Sequence, residues 1–393
     1  MGSRLSLFVS LFLLISTLIT GIKFRFTLFA GLLSLVVIHS LISAINSNYS
    51  DIAISYWIDF IKVIVISYLI TMLVKSEKDL RITLIVISLS LGLEGAKQGW
   101  AQLILNPGAT NNNTHPLLGD NNGVAVGMLM IVPILFALYQ TTEKKMIKYG
   151  FAFLAIGVIY RAISTYSRGG FLTFLTMCII FWLRSKNKIK PIIIFVLLVA
   201  IIYPVLPQEF WDRMSTIDAS EDERDASAAG RVYFWKVAYE MAQKNPVFGV
   251  GHNVYREAYV AFQHEDARFA QRRAVHSAWF GILAEWGYPG IILFISFFYY
   301  SLFSCAKVRK QCKNNTELKS LLIYCNSIET SLISCSVGIT FLSFQYYEIL
   351  WHFFALAAVI NQALIHKNAV ISDNLKNANE ADIDFNREIA EVS

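Results

Sequence analysis

Two arginines stand close together in a mostly apolar part of the sequence. Arg161 and Arg168 are seven residues apart, and on one continuous helix that spacing would place both side chains on the same face. Two guanidinium groups on one face can clamp a polyanion. Gly169 and Gly170 follow, and they either let a bulky ligand approach the backbone or serve close helix packing. The alternative is that both arginines snorkel to lipid headgroups.

Two further basic residues are candidates for anion binding. Lys97 follows Glu94 by three positions, so it is either half of a self-neutralised pair or an anion-binding group. Arg231 follows Ala228-Ala229-Gly230 at the predicted start of a helix, where free backbone amides and the helix dipole favour an anion. The alternative for Arg231 is an arginine that faces solvent.

His276 is the candidate general base, because it lies where a long polar loop meets the next apolar run. A neutral imidazole can accept a proton from a hydroxyl, and the preceding Arg272 and Arg273 are expected to lower its pKa below the usual ~6.5. The alternative is a structural histidine. The spacing of His252, His264 and His276 matches no zinc motif, so we predict neither a metal nor another cofactor.

The elements that position these residues are predicted to be membrane helices. Of 393 residues, 55% are hydrophobic and 16% are charged, and the mean hydropathy is +0.50. An ordinary soluble domain has about 25% charged residues, so lipid is the main solvent here. The net charge of +6 falls mostly in short gaps between apolar runs, where membrane topology explains it. A nucleic-acid partner is therefore not expected.

Eleven apolar runs approach the ~20 residues that span a bilayer as a helix. They lie near 5–21, 24–45, 56–74, 81–105, 123–140, 146–163, 169–184, 189–206, 288–306, 319–341 and 348–366. Lysines and arginines concentrate in the short loops at 75–81, 144–148, 184–190 and 307–319, which predicts that these loops are cytoplasmic. The N-terminus and the long loop then lie outside, and the C-terminal tail lies inside.

This reading divides the chain into four parts. Residues 1–206 form the first eight helices of a transmembrane bundle, 207–287 a periplasmic loop with the catalytic region, 288–366 the last three helices, and 367–393 a polar cytoplasmic tail. Within the loop we predict a helix from Ala228 to Lys244 and an amphipathic segment from Phe262 to Ala274. The five cysteines form no close pair, so a disulfide framework is not expected.

Several short motifs carry a resemblance to a known family. They are His276-Ser277, Glu285-Trp286-Gly287, Gly230-Arg231, Gly249-Val250-Gly251-His252-Asn253 and Ser167-Arg168-Gly169-Gly170. With them, residues 24 to 366 resemble the O-antigen ligase family. Glu94-Gly95-Ala96-Lys97 and Asp120-Asn121-Asn122 make the chain most similar to the exosortase-associated O-glycosylation ligases. Relatives of that family usually have twelve spans, one more than this chain.

The resemblance implies a GT-C-like bundle in the bacterial inner membrane, surrounded by membrane lipids, with its active site facing the periplasm. It implies a metal-independent, inverting glycosyltransferase of lipopolysaccharide biosynthesis or protein O-glycosylation. The enzyme would move a glycan from undecaprenyl pyrophosphate to a hydroxyl of the lipid A core or of a protein. His276 matches the essential histidine of the family; Arg161, Arg168 and Arg231 match its pyrophosphate-binding arginines, and Lys97 a further basic group.

Two other functions stay open at this point. A polymerase that joins glycan repeats on the same lipid carrier would also need arginines for pyrophosphate at an outer loop. An anion transporter would use Lys97, Arg161 and Arg168 to line a path through the bundle. The sequence specifies neither the sugar nor the acceptor.

Overall fold

The computed structural model of the chain describes residues 27–203, 226–263 and 274–392, together with residues 15, 17, 19 and 208. Within these ranges the chain forms helices and no strand. Seven helices there are long and apolar enough to cross a membrane. The predicted fold class, an all-α integral membrane protein, is confirmed.

Twelve α-helices lie within the described ranges. They are α1 Leu28–Ile45, α2 Ser50–Leu73, α3 Glu77–Leu105, α4 Asn121–Thr141, α5 Lys145–Ile163, α6 Arg168–Arg184, α7 Ile189–Ile202, α8 Ala226–Lys244, α9 Tyr255–Phe262, α10 Ala278–Cys312, α11 Lys319–Gly338 and α12 Glu348–Val392. Two 3-10 helices, Thr316–Leu318 and Ile339–Phe341, flank α11. The bounds follow the predicted spans closely, except at α10 and α12.

The count of eleven spans stays a prediction. The seven helices that meet the length and hydropathy requirements are α1, α2, α4, α5, α10, α11 with its flanking 3-10 helices, and the first 27 residues of α12. The predicted spans at 81–105 and 169–184 are also helical, as are residues 189–202 of the span at 189–206, but α6 and α7 have only 17 and 14 described residues. The predicted first span, 5–21, lies almost wholly outside the described residues.

Side-chain caps fix the starts of three helices at the predicted outer face. Asp120 Oδ1 accepts a hydrogen bond from Gly123 N at 2.9 Å, and Ser167 Oγ accepts one from Gly170 N at 3.1 Å. Ser277 Oγ is 3.4 Å from the amide of Phe280. Each cap satisfies an amide that has no partner within its own helix. As a result, α4, α6 and α10 begin at defined residues beside the candidate site.

The predicted span at 288–306 is part of a longer, kinked helix. α10 begins at Ala278, ten residues earlier, and bends at Gly287, whose φ of 69° and ψ of −167° are not helical. Glycine adopts this backbone conformation without a steric penalty, and Pro289 follows it within the helix. The chain therefore bends here between two helical segments, and the outer one carries residues of the candidate site.

The described residues cover only part of the long loop. Its predicted helix, Ala228 to Lys244, is confirmed as α8. The predicted amphipathic segment, Phe262 to Ala274, lies mostly outside the described residues, and α9 precedes it. At the other end of the chain, α12 continues as a helix through the predicted polar tail to Val392.

A buried ion cluster joins three helices at the opposite end of the bundle. Glu329 of α11 is 5% exposed, and its Oε2 accepts a hydrogen bond from Arg184 Nη2 at 2.5 Å and another from Arg309 Nη1. The carboxylate therefore links α6, α10 and α11. The interior between these helices is apolar, and most of α4 is buried in it.

Candidate active site

Arg161 is buried at the outer end of α5 and is held by polar partners. It is 1% exposed, and its Nε donates to Gln98 Oε1 at 2.8 Å. Its Nη2 donates to the Asn113 carbonyl at 2.8 Å and its Nη1 to the Asn111 carbonyl at 3.3 Å. This guanidinium therefore fixes the 106–120 loop against α3 and α5. Three of its five N–H groups are used in this way.

Arg168 opens α6 on the other side of a tight turn. α5 ends at Ile163 and α6 begins at Arg168, with Tyr166 between them at a φ of 53°. The two arginines thus do not share the face of one continuous helix; instead, the turn brings them to the same end of the bundle. Arg168 is 8% exposed, so it does not extend freely into solvent.

The two glycines after Arg168 differ in their surroundings. A Cβ atom built on Gly170 would lie 2.6 Å from the Cβ of Ala125 in α4, which is far too close. On Gly169, the nearest atom would be the Cβ of Phe341 at 3.5 Å, an ordinary contact. Of the two roles open in the sequence, helix packing therefore accounts for Gly170.

Arg231 lies inside α8 rather than at its first residue. The helix begins at Ala226, so the free amides of its first turn precede Arg231. Trp235 lies one turn later on the same helical face. Its ring stacks on Phe280 with centroids 5.2 Å apart and is 6.3 Å from the ring of Phe341. The helical face that carries Arg231 is therefore directed towards the start of α10.

His276 directly precedes the cap of α10 and has a left-handed backbone. Its φ is 49°, and it is half-buried between the buried residues Val275 and Ser277. Positive φ is uncommon outside glycine, and such strained positions cluster at functional sites. Arg272 and Arg273, expected to lower its pKa, lie outside the described residues.

One stretch of chain connects these elements; we call residues 338–347 the outer segment. Gly169 lies at the start of α6, and a Cβ atom built on it would contact Gly338 O and the Phe341 side chain of the outer segment. Thr340 Oγ1 accepts a hydrogen bond from Trp279 Nε1 at 3.2 Å in α10. Gln345 would lie 2.6 Å from a Cβ on Gly281. The outer segment thus brings the elements that carry Arg168, Arg231 and His276 together.

Lys97 lies apart from this group. Its side chain is 76% exposed, and its Nζ is 3.6 Å from Glu94 Oε2. The next residue, Gln98, is the one that contacts Arg161. The structure therefore places Lys97 on an exposed face of α3, paired with Glu94. This ion pair is one of the two roles that the sequence allowed for Lys97.

Glu285 is a buried residue of this region to which the sequence assigned no role. It is 2% exposed, and its Oε1 accepts a hydrogen bond from the amide of Tyr255 at 3.1 Å. Its Oε2 accepts from Tyr346 Oη at 2.7 Å and from Gln345 Nε2 at 3.3 Å. Glu285 therefore links α9, α10 and the outer segment. The signal was the carboxylate of the Glu285-Trp286-Gly287 motif in an apolar stretch.

His252 packs in the interior and is not a base. It is fully buried, and its Nδ1 accepts a hydrogen bond from Trp286 Nε1 at 3.2 Å. Burial lowers the pKa of His252 to about 3, and a backbone hydrogen bond with Tyr56 offsets only part of this shift. The imidazole is therefore neutral. His264 lies outside the described residues, and among those described no three His, Cys, Asp or Glu side chains are grouped to hold a metal.

Residues 151–295 match the family model described as O-Antigen ligase. This stretch contains Arg161, Arg168, Arg231 and His276, and Lys97 lies outside it. The resemblance predicted from short motifs is thereby confirmed over these residues, while the exosortase-associated subtype stays a prediction. No curated protein matches the chain significantly.

Proposed function

We propose that this chain, which carries an O-antigen ligase domain at residues 151–295, transfers a glycan from undecaprenyl pyrophosphate to an acceptor hydroxyl. The family supports a membrane enzyme that ligates glycans. The observation that carries the proposal is that one outer segment connects the start of α6, α8 and the start of α10. These elements hold the arginines and the histidine that such a transfer needs.

The arginines are proposed to bind the leaving group. As the bond from the sugar C1 to the phosphate oxygen breaks, negative charge grows on the pyrophosphate, and guanidinium forks stabilise it bidentately. Arg168 and Arg231 supply this charge. Arg161 shapes the site through its loop contacts and keeps two N–H groups for a phosphate oxygen, while Lys97, paired with Glu94 and apart from this group, is given no part in the clamp.

His276 is proposed to activate the acceptor. Its neutral imidazole takes the proton of the acceptor hydroxyl while the hydroxyl oxygen attacks C1 opposite the pyrophosphate. The new C–O bond forms as the old one breaks, so the anomeric configuration inverts. The pyrophosphate linkage supplies the driving force, and these residues can perform the transfer without a metal ion. The site is proposed to face the periplasm of a bacterial inner membrane.

The test is transfer of a lipid-pyrophosphate-linked glycan by purified protein in detergent with EDTA. We expect wild type to be active and His276→Asn to lose transfer, because asparagine tolerates the left-handed backbone but is not a base. His276→Ala should behave alike. His366→Asn changes an exposed histidine of α12 and should keep wild-type activity.

Other outcomes would contradict the proposal. Full activity in His276→Asn would exclude the histidine as the base. A ladder of products on a gel would indicate the polymerase. Wild-type protein that is inactive with both lipid A core and serine peptides, yet carries anions into sealed vesicles, would indicate the transporter.

A further inference from the structure

A polar cavity of about 400 Å³ lies beside the candidate base. Ala274 and Val275, the two residues before His276, form part of its wall. Gln345 of the outer segment and Glu285 of α10 also line it. Cavities that bind small molecules measure about 300–1,000 Å³, so this one can hold a compact polar ligand. None of Arg161, Arg168, Arg231 and His252 lines it.

Gln345, one of the residues that line this cavity, has a hydrogen-bond acceptor without a described partner. The side chain is 3% exposed, and its Nε2 donates to Glu285 Oε2. In this orientation the amide nitrogen of Gln345 faces the carboxyl group of Glu285, which accepts from it. No described residue donates a hydrogen bond to its Oε1. A buried acceptor is destabilising while it stays unsatisfied, and a ligand that donates a hydrogen bond would satisfy it.

A second polar residue that lines the cavity, Ser343, also lacks a described hydrogen-bond partner. Ser343 Oγ is shielded from solvent and has no hydrogen-bond partner among the described residues. A hydroxyl both donates and accepts, so it complements an O–H group of a ligand. Ser343 and Gln345 are two residues apart on the outer segment and line the same cavity. Together they offer paired polar contacts to adjacent hydroxyls.

The remaining walls fit a sugar. Asn253 supplies a further amide, Arg256 and Glu257 supply one charge of each sign, and Tyr56 supplies an aromatic ring. Amides, hydroxyls and paired charges match the donors and acceptors of a polyhydroxyl compound. An aromatic face can cover its C–H surface. The cavity therefore has the chemistry for a hydroxyl-rich ring rather than for an apolar or purely anionic ligand.

We propose that this cavity binds one sugar unit of the acceptor and places its hydroxyl at His276. This inference rests on the proposed function in one respect, which is the assignment of the sugar to the acceptor and not to the donor. Gln345 and Ser343 are the residues that bind its hydroxyls, and Glu285 positions Gln345. The arginines at the start of α6 and in α8 lie towards the other end of the outer segment, where the donor pyrophosphate belongs.

The first experiment measures binding without turnover. Saturation-transfer NMR would be recorded on purified protein with methyl glycosides of glucose, galactose, mannose and N-acetylglucosamine. We expect at least one to bind wild type and to bind Gln345→Leu and Ser343→Ala about tenfold more weakly. Gln140→Leu at an exposed position and Ser296→Ala at a partly exposed position make the same changes remote from the cavity and should bind as wild type. No binding by wild type, or equal binding by all variants, would overturn the proposal.

A competition arm distinguishes the source of the sugar. Polyprenyl-pyrophosphate-linked N-acetylglucosamine at saturation should leave the glycoside signal in place, because donor and acceptor occupy separate subsites. Displacement of the glycoside would assign the cavity to the sugar of the donor and overturn the acceptor assignment. Ser343→Ala removes one oxygen only, so it keeps the test valid if Gln345→Leu does not fold. Glycoside binding in a protein without transfer activity would contradict the proposed function alone.

Discussion

The proposed role of Arg168 depends on the shape of its side chain. At Arg168 the proposed role depends on the planar fork of the guanidinium and not on charge alone. Arg168→Lys keeps the charge and loses the bidentate contact with phosphate. We expect kcat/KM for the lipid donor to fall about 10- to 100-fold, with an unchanged KM for the acceptor. Steady-state kinetics at varied donor concentration check this, and a change confined to the acceptor KM would contradict it.

His252 should make stability depend on pH. The folded pKa of His252, about 3, lies below the usual ~6.5 of an unfolded chain, so between these values the unfolded state binds more protons. Stability from this residue is complete above pH 6.5 and is lost as pH falls towards 3. Thermal unfolding in detergent at pH 7 and pH 5 should show a lower midpoint at pH 5. His252→Gln should flatten that dependence, and an unchanged slope would exclude the cause.

At the scale of elements, the loop before α9 meets the bend of α10 at close range. Gly249 has a φ of 65°, and a Cβ there would lie 2.4 Å from Ala284 O. Gly249→Ala should therefore lower the free energy of unfolding by about 1–3 kcal/mol or more and reduce transfer. Gly31→Ala is the control, because no atom lies within 4 Å of a Cβ there and alanine favours a helix. Equal melting temperatures for the two variants would contradict this packing argument.

Hydropathy and capping patterns predicted most helices, including α8, because these signals are local. They did not predict the bend in α10, because the sequence around Gly287 indicates a turn. Only the structure shows that the helix continues on both sides of this residue. Nor did they identify Gln345 or Ser343 as site residues. Their importance comes from the cavity that they line together with Glu285 and Val275, which are 58 or more positions away in the chain. Arg168 and His276 were recognisable because their types and flanking glycines or arginines already suggest chemistry.

For the molecule as a whole, the proposed chemistry requires the site to face outward. The native cysteines are buried or half-buried, so they should react slowly with a membrane-impermeant maleimide. Val247→Cys, at an exposed position near α9, should be labelled in intact spheroplasts. Asn314→Cys, in an exposed loop rich in lysine, should be labelled only after lysis. The reverse pattern would place His276 in the cytoplasm and contradict the use of an outward-facing donor.

The docking of the 246–251 loop on α10 uses the main chain. Val250 N donates to Ala284 O at 2.9 Å, Gly251 N to Glu285 O at 3.3 Å, and Tyr288 N to Pro246 O at 2.9 Å. Main-chain bonds do not depend on the identity of the side chains involved. A loop of this kind can therefore diversify in evolution while its attachment is preserved, provided that Gly249 and Gly287 remain. Exchanging it between homologous enzymes should therefore yield folded chimeras.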